Sequence, residues 1–240
     1  MTAVSSRLGF TGLMIKKILK FLPRPQVVIL GILLWPTSSM LASVQPESRA
    51  WKFAVSVDDV PIGYHQYEVR DSLDGREVTS LADFKYRLMF VTLFRYEHEN
   101  TERWSETCLQ YISSKTRMNR KKYAVDGAVA EDRFVVDTLD GNEELPACVQ
   151  SFAYWDKSFL EEKALLNAQT GELEEVNIES RGESTVNLPT GDLAVAERYS
   201  IATRRGPIDV WYEKGSDRWL QLQSITEQGR VLRYQPLELP

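Results

Sequence analysis

The chain has 240 residues, 43% hydrophobic and 26% charged, with a formal net charge of −5. This is the ordinary composition of a globular protein. The acidic balance argues against nucleic acid or an anionic membrane surface as the main partner, because both reward net positive charge.

The first 42 residues differ from the rest. They carry Arg7, Lys16, Lys17, Lys20 and Arg24, and no acid. An apolar run follows, Val27 to Trp35, and then Pro36, Thr37, Ser38, Ser39 and the small residues Ala42 and Ser43. A basic region, a short apolar core and a small-residue exit form the pattern of a secretory signal peptide cut after Ala42, with Met14 an alternative start. The nine-residue run is short of the roughly 20 residues that span a bilayer; an uncleaved anchor is the alternative. Export is therefore expected, into the periplasm of a Gram-negative bacterium, with no transmembrane span after cleavage. Removing residues 1–42 takes away five positive charges and leaves 24 basic against 34 acidic residues, a net charge of −10. Residues 43–240 are expected to form one domain.

From Trp51 the chain reads as β-strand. Trp51, Phe53, Val55 and Val57 alternate with polar residues, the mark of a half-buried strand. Asp58-Asp59-Val60-Pro61 is a turn. The strand from Pro61 to Arg70 changes apolar phase, from Ile62 and Tyr64 to Tyr67 and Val69, which predicts a bulge near His65. Val78, Ser80, Ala82, Phe84, Tyr86 and Leu88 share one face of a long third strand, and Phe94, Tyr96, His98 and Trp104 one face of a fourth. Cys108 to Met118 pairs back. The basic run Arg117 to Lys122 is read as a solvated hairpin surface. Shorter strands are expected at Tyr123–Val125 and Phe134–Thr138, around an Asp126-Gly127 turn, with another turn at Asp140-Gly141.

Cys148 to Gly171 breaks the pattern. It gathers Phe152, Tyr154, Trp155 and Phe159, and Ser158 and Glu161 have capping-box spacing. A short helical insert near 158–166 is expected, joining and plugging two β-rich halves. After Gly171 a regular meander follows: Leu193–Thr203, Ile208–Glu213, Trp219–Thr226 and Val231–Gln235. Strands recurring without helices imply an antiparallel sheet. The fold expected is mainly β: about ten strands curled into a barrel or half-barrel. Cys108 and Cys148 are the only cysteines. In an oxidising compartment they read as one disulfide, worth about 4 kcal/mol in the chain-entropy picture.

Several segments carry a family resemblance: Ile62-Gly63-Tyr64-His65, Tyr96-Glu97-His98 through Glu102-Arg103-Trp104, Ser151 to Trp155, and Leu165 to Glu172. They resemble an exported bacterial family, domain of unknown function 6134. The Asp209-Val210-Trp211-Tyr212 stretch is similar to a wider set of uncharacterised periplasmic β proteins. The resemblance implies an exported antiparallel β domain and no established activity, so it assigns no catalytic residue.

The chain carries no nucleophile motif, phosphate loop or metal-ligand spacing, and no cofactor is expected. His65 and His98 are the only histidines. With Tyr64 and Glu102 nearby in sequence, they would share a pocket if their strands face each other, for metal binding or acid–base work; structural or surface roles are the plainer reading. Phe152, Tyr154, Trp155, Phe159 and Trp211 would line a barrel mouth or fill its core. The candidate ligand site is thus Tyr64, His65, His98, Phe152, Tyr154, Trp155, Phe159 and Trp211. Three readings follow. The first is a non-enzymatic protein holding an apolar or lipid-like ligand, which requires an apolar interior with a cavity. The second is a structural or protein-interaction module with a filled barrel and an exposed apolar patch. The third is an enzyme using His65, His98 and nearby carboxylates.

Overall fold

The computed structural model describes residues 48–88, 90–226 and 228–240. The expected signal peptide lies outside the described residues. Eight strands come first: β1 (Ser48–Val57), β2 (Val60–Ser72), β3 (Gly75–Leu88), β4 (Val91–Ser105), β5 (Cys108–Met118), β6 (Lys121–Ala130), β7 (Arg133–Thr138) and β8 (Gly141–Pro146). A plug segment follows, with one 3-10 turn (Lys157–Glu161) and a small hairpin of β9 (Ala164–Leu166) and β10 (Leu173–Glu175). Five more strands end the chain: β11 (Asn177–Asn187), β12 (Leu193–Thr203), β13 (Gly206–Glu213), β14 (Trp219–Ile225) and β15 (Val231–Glu238).

All but the plug hairpin join one antiparallel sheet of 13 strands, in the order β11-β12-β13-β14-β15-β1-β2-β3-β4-β5-β6-β7-β8. The last strand pairs with the first, Val55 opposite Tyr234, and so zips the two halves together. The sheet curls but does not close: β11 and β8 remain edges. The curled antiparallel sheet expected, a barrel or half-barrel of about ten strands, is present as an open sheet of thirteen.

Period-two alternation builds the inner face. Trp51, Phe53 and Val55 of β1, Val78, Ala82 and Phe84 of β3, and Ile112 of β5 are all buried. The β1–β2 turn places Asp58 and Asp59 at φ 47° and 65°, the paired left-handed geometry of a two-residue hairpin. The bulge in β2 lies earlier than expected. Val55 pairs with Gly63 and Ser56 with Pro61, so Ile62 is the extra residue. That bulge turns both Ile62 and His65 inward. Glycine is required beside it, because a Cβ on Gly63 would stand 1.9 Å from the Asp83 carbonyl oxygen.

Two local expectations fail. Asp126-Gly127 is not a turn but lies inside β6, paired with Asp137 and Val136. Gly127 is there for space: a Cβ would meet the Phe134 ring at 2.8 Å and Ile112 at 3.0 Å. The helical insert is reduced to the five-residue 3-10 turn. Asp156, not Ser158, caps it, accepting from the Ser158 amide at 3.0 Å. Ala164, Leu165 and Leu166, inside the expected helical insert, pair instead with Glu175, Glu174 and Leu173. Burial of both leucines against the sheet outweighs the weak local helix signal.

The plug does fill the curl. Leu109 donates its amide to Val149 O at 2.9 Å, and Tyr212 its hydroxyl to Tyr154 O at 2.8 Å, so both halves of the sheet hold it. Arg76 pairs with Asp156 at 2.7 Å and lies over the Trp155 ring at 5.0 Å. The expected Cys108–Cys148 disulfide is present and ties β5 to the start of the plug. Val44–Pro240 form one compact unit. Its sheet, disulfide and main core all come from residues from Ser48 onward. A second, smaller core of Val186, Ala194, Ala196, Trp211 and Leu220 lies apart from the main one.

Candidate functional site

β4 sets the site. Its alternation lines Tyr96, His98, Asn100 and Glu102 along one inward face. β2 brings His65 and Tyr67 beside them, because His65 pairs with Ala82 and Ala82 with His98. Tyr234 arrives from β15 through the β1–β15 zip. The plug supplies Ser151, Tyr154, Asn167 and Glu174. Together these residues line a half-open cavity of about 250 Å³.

The two histidines stand edge to face, with ring centroids 6.4 Å apart. His65 stacks on Tyr67 at 4.3 Å. Its Nδ1 lies 3.2 Å from the Tyr234 hydroxyl and 3.4 Å from that of Tyr67. A neutral imidazole accepting at Nδ1 carries its proton on Nε2, and His65 Nε2 is buried with no partner in the protein. His98 Nδ1 meets Thr116 Oγ1 at 2.7 Å. Glu102 accepts from Asn100 Nδ2 at 2.9 Å and from the Trp104 indole N–H at 3.0 Å. Asn100 Oδ1 is left buried and unbonded. Glu174 accepts from Asn167 Nδ2 at 2.7 Å.

Burial sets the protonation of this wall. Desolvation, helped by the neighbouring His98, pushes His65 well below the ordinary histidine value. Desolvation takes His98 down to about 4. Desolvation also raises Glu102, against hydrogen bonds from Asn100, Ser151 and Trp104. The same burial drives the Tyr67, Tyr154 and Tyr234 hydroxyls up. Near neutral pH both imidazoles are uncharged.

Of the eight residues expected in the site, His65, His98, Phe152, Tyr154 and Trp155 line this cavity. Three do not. Tyr64 faces the other side of β2, below the Lys52 ammonium at 5.8 Å, on an open trough of about 640 Å³ with Asp83, Glu97, Lys115 and Arg117. That trough is larger, but it lies on the outer face of the sheet and is laced with surface ion pairs. Phe159 is buried packing, edge-on to Tyr154 at 5.7 Å. Trp211 belongs to the small second core and donates to Ser184 Oγ at 2.9 Å. Neither histidine bonds to a carboxylate among the described residues, so the His–Glu102 pairing is not made. Among the described residues no group of three or more His, Cys, Asp or Glu stands close enough to hold a metal ion. The cavity wall mixes these polar groups with apolar ones, among them Val78, Ile208, Leu222 and Leu232.

Sequence reasoning missed Asn100, Glu174 and Tyr234. Asn100 was recoverable, since it continues the Tyr96–His98 alternation. Glu174 is 1% exposed because β10 lies inside the curl. Nothing local announces that, and nothing local brings Tyr234 to His65 across 169 residues of chain.

Among solved structures, the chain is similar to a β-barrel-like protein of domain of unknown function 1849 from Brucella abortus. The TM-score is 0.61 at 10% identity, over 80% of this chain and 96% of that one, which shows a shared fold. No curated protein matches. The family model of domain of unknown function 6134 matches residues 53–237, nearly the whole described sheet with its plug and cavity, and the chain belongs to that family.

Proposed function

We propose that this protein is a binding module that holds a small, uncharged, hydrogen-bonding molecule in the cavity of its curled sheet. One observation carries the reading: His65 Nε2 and Asn100 Oδ1 are both buried without a partner on residues that line the same cavity. Each such atom costs about 1–3 kcal/mol if it stays unbonded. A guest offering one donor and one acceptor, such as a hydroxyl or amide group, would satisfy both. Stacked aromatic rings suit a flat or apolar body beside that polar group.

Charge on the guest is disfavoured, because the same wall keeps its own histidines neutral and its Glu102 raised. Size argues against a long acyl chain: about 250 Å³ falls just below the usual 300–1,000 Å³ of small-molecule sites. The basic and apolar pattern of residues 1–42 supports action outside the cytoplasm, and a disulfide suits that setting.

The test is native mass spectrometry of Val44–Pro240 purified without detergent, beside the His65→Phe/Asn100→Leu double variant. A reproducible adduct that organic solvent removes, and that the double variant lacks, is expected. A bare mass, together with no thermal stabilisation by a library of small polar metabolites, would sink the reading.

A further inference from the structure

The β3–β4 hairpin exposes Phe90, Val91 and Leu93 to 102%, 60% and 52%. Nowhere else among the described residues are three large apolar side chains exposed within four positions. The hairpin stands apart from the sheet there. On one side the ladder to β2 stops at Gly63 opposite Phe84. On the other, pairing with β5 stops at Tyr96 opposite Met118, and the Asn119 turn closes onto Arg95. Beyond that level β3 and β4 pair only with each other, Tyr86 with Phe94 and Leu88 with Val91. Three residues of β3 and four of β4 continue past that level, and at about 3.4 Å per residue they carry the hairpin about 10 Å past the β5–β6 turn.

Cations surround this finger. Arg87 lies on it, and Arg120, Lys121 and Lys122 lie on the adjoining β5–β6 hairpin, all exposed. None of the four has an acidic partner at ion-pair distance among the described residues. Arg95 and Arg117 share the single carboxylate of Glu97. The same end also carries Asp58 and Asp59, paired with Arg230 and Arg233, and Asp140. Turns at the opposite end carry Asp74, Glu106, Glu131 and Asp132. Residues 43–240 sum to −10, so the net figure conceals a basic end. The cavity reaches Thr203 and Arg205 of the β12–β13 turn, at that same end.

We infer that this end docks on an anionic lipid bilayer, with Phe90, Val91 and Leu93 in the headgroup–acyl boundary and Arg87, Arg120, Lys121 and Lys122 against lipid phosphates. Apolar side chains ringed by basic ones are what an interfacial anchor requires, and its usual depth is about 5–10 Å. A second copy fits this surface poorly. A two-fold interface sets the same patch against itself, and here that would oppose four cations to four cations. The inference is independent of what the cavity holds.

The test is co-sedimentation of Val44–Pro240 with vesicles of phosphatidylcholine alone and of phosphatidylcholine with phosphatidylglycerol in equal parts. Binding to the anionic vesicles only, weakened by salt, is expected. Phe90→Asp/Leu93→Asp and Arg120→Glu/Lys121→Glu should each lower partitioning about tenfold or more, while the melting temperature holds. Equal binding to both vesicle types, binding to neither, or binding untouched by both variants would overturn the inference. So would lipid-free self-association that Phe90→Asp abolishes.

Discussion

The inner face of the sheet is apolar and dry beside the start of β5 and β6–β8, and polar, or wet, beside β2–β4 and the Ser114–Thr116 end of β5, although one alternating pattern builds both. On the dry side Leu109, Ile112, Val125, Phe134 and Val136 meet Leu165 and Leu166 of the plug, and all are fully buried. Gly171 presses so close that a Cβ would stand 2.6 Å from Thr138 Cγ2. On the wet side the same plug presents Ser151, Asn167 and Glu174 to His65, His98, Asn100 and Glu102, and a cavity remains. The difference lies in what faces each strand across the curl. Where apolar surfaces meet, packing closes completely. Where polar ones meet, each group needs a partner, and two of them lack one.

The contrast can be broken most forcefully from the dry side. Phe134→Ala should cost about 3–5 kcal/mol of stability in urea unfolding; a loss under about 1 kcal/mol would show that this wall is not packed. Removing the disulfide with Cys108→Ser/Cys148→Ser should cost about 4 kcal/mol, since it frees a separation of 40 residues. The urea midpoint of the oxidised protein against the double variant checks it.

The wet side should reveal itself through pH. Both histidines titrate lower in the fold than unfolded. The unfolded chain therefore binds more protons below about pH 6.5, and stability falls as pH falls. His98 alone, lowered from 6.5 to about 4, should remove about 3 kcal/mol between those values. Glu102 is raised and works the other way, gaining its proton sooner in the fold. Urea titrations from pH 7 to pH 4 should still slope downward, and His98→Phe should flatten the slope. The smallest effect is expected one residue from the wet wall: Tyr64→Ser on the outer face should change stability by under about 0.5 kcal/mol and leave any bound adduct in place.

Much of the fold was legible because a half-buried strand writes its burial into every second residue. β1 and the β12–β15 meander follow that rule closely. The errors share a cause. At Asp126-Gly127 a turn signal was overridden by the need for space beside Phe134. At 158–166 a helical spacing was overridden by leucines that gain more from burial in a hairpin. In β2 the phase change was real, but it stemmed from an extra residue at Ile62. Among site residues, those on β4 could be read from alternation alone.

By itself the sequence determined the antiparallel β class, the turns of the C-terminal meander, the cysteine pair and the inward line of Tyr96 and His98. These follow from contacts between near neighbours, or from chemistry with few alternatives. Only the tertiary structure decided that the sheet stays open with thirteen strands, that Glu174 is buried, and that Tyr234 meets His65. Those facts depend on the curl and on the zip between the first and last strands. A local pattern states which face is buried; it does not state what the buried face will meet.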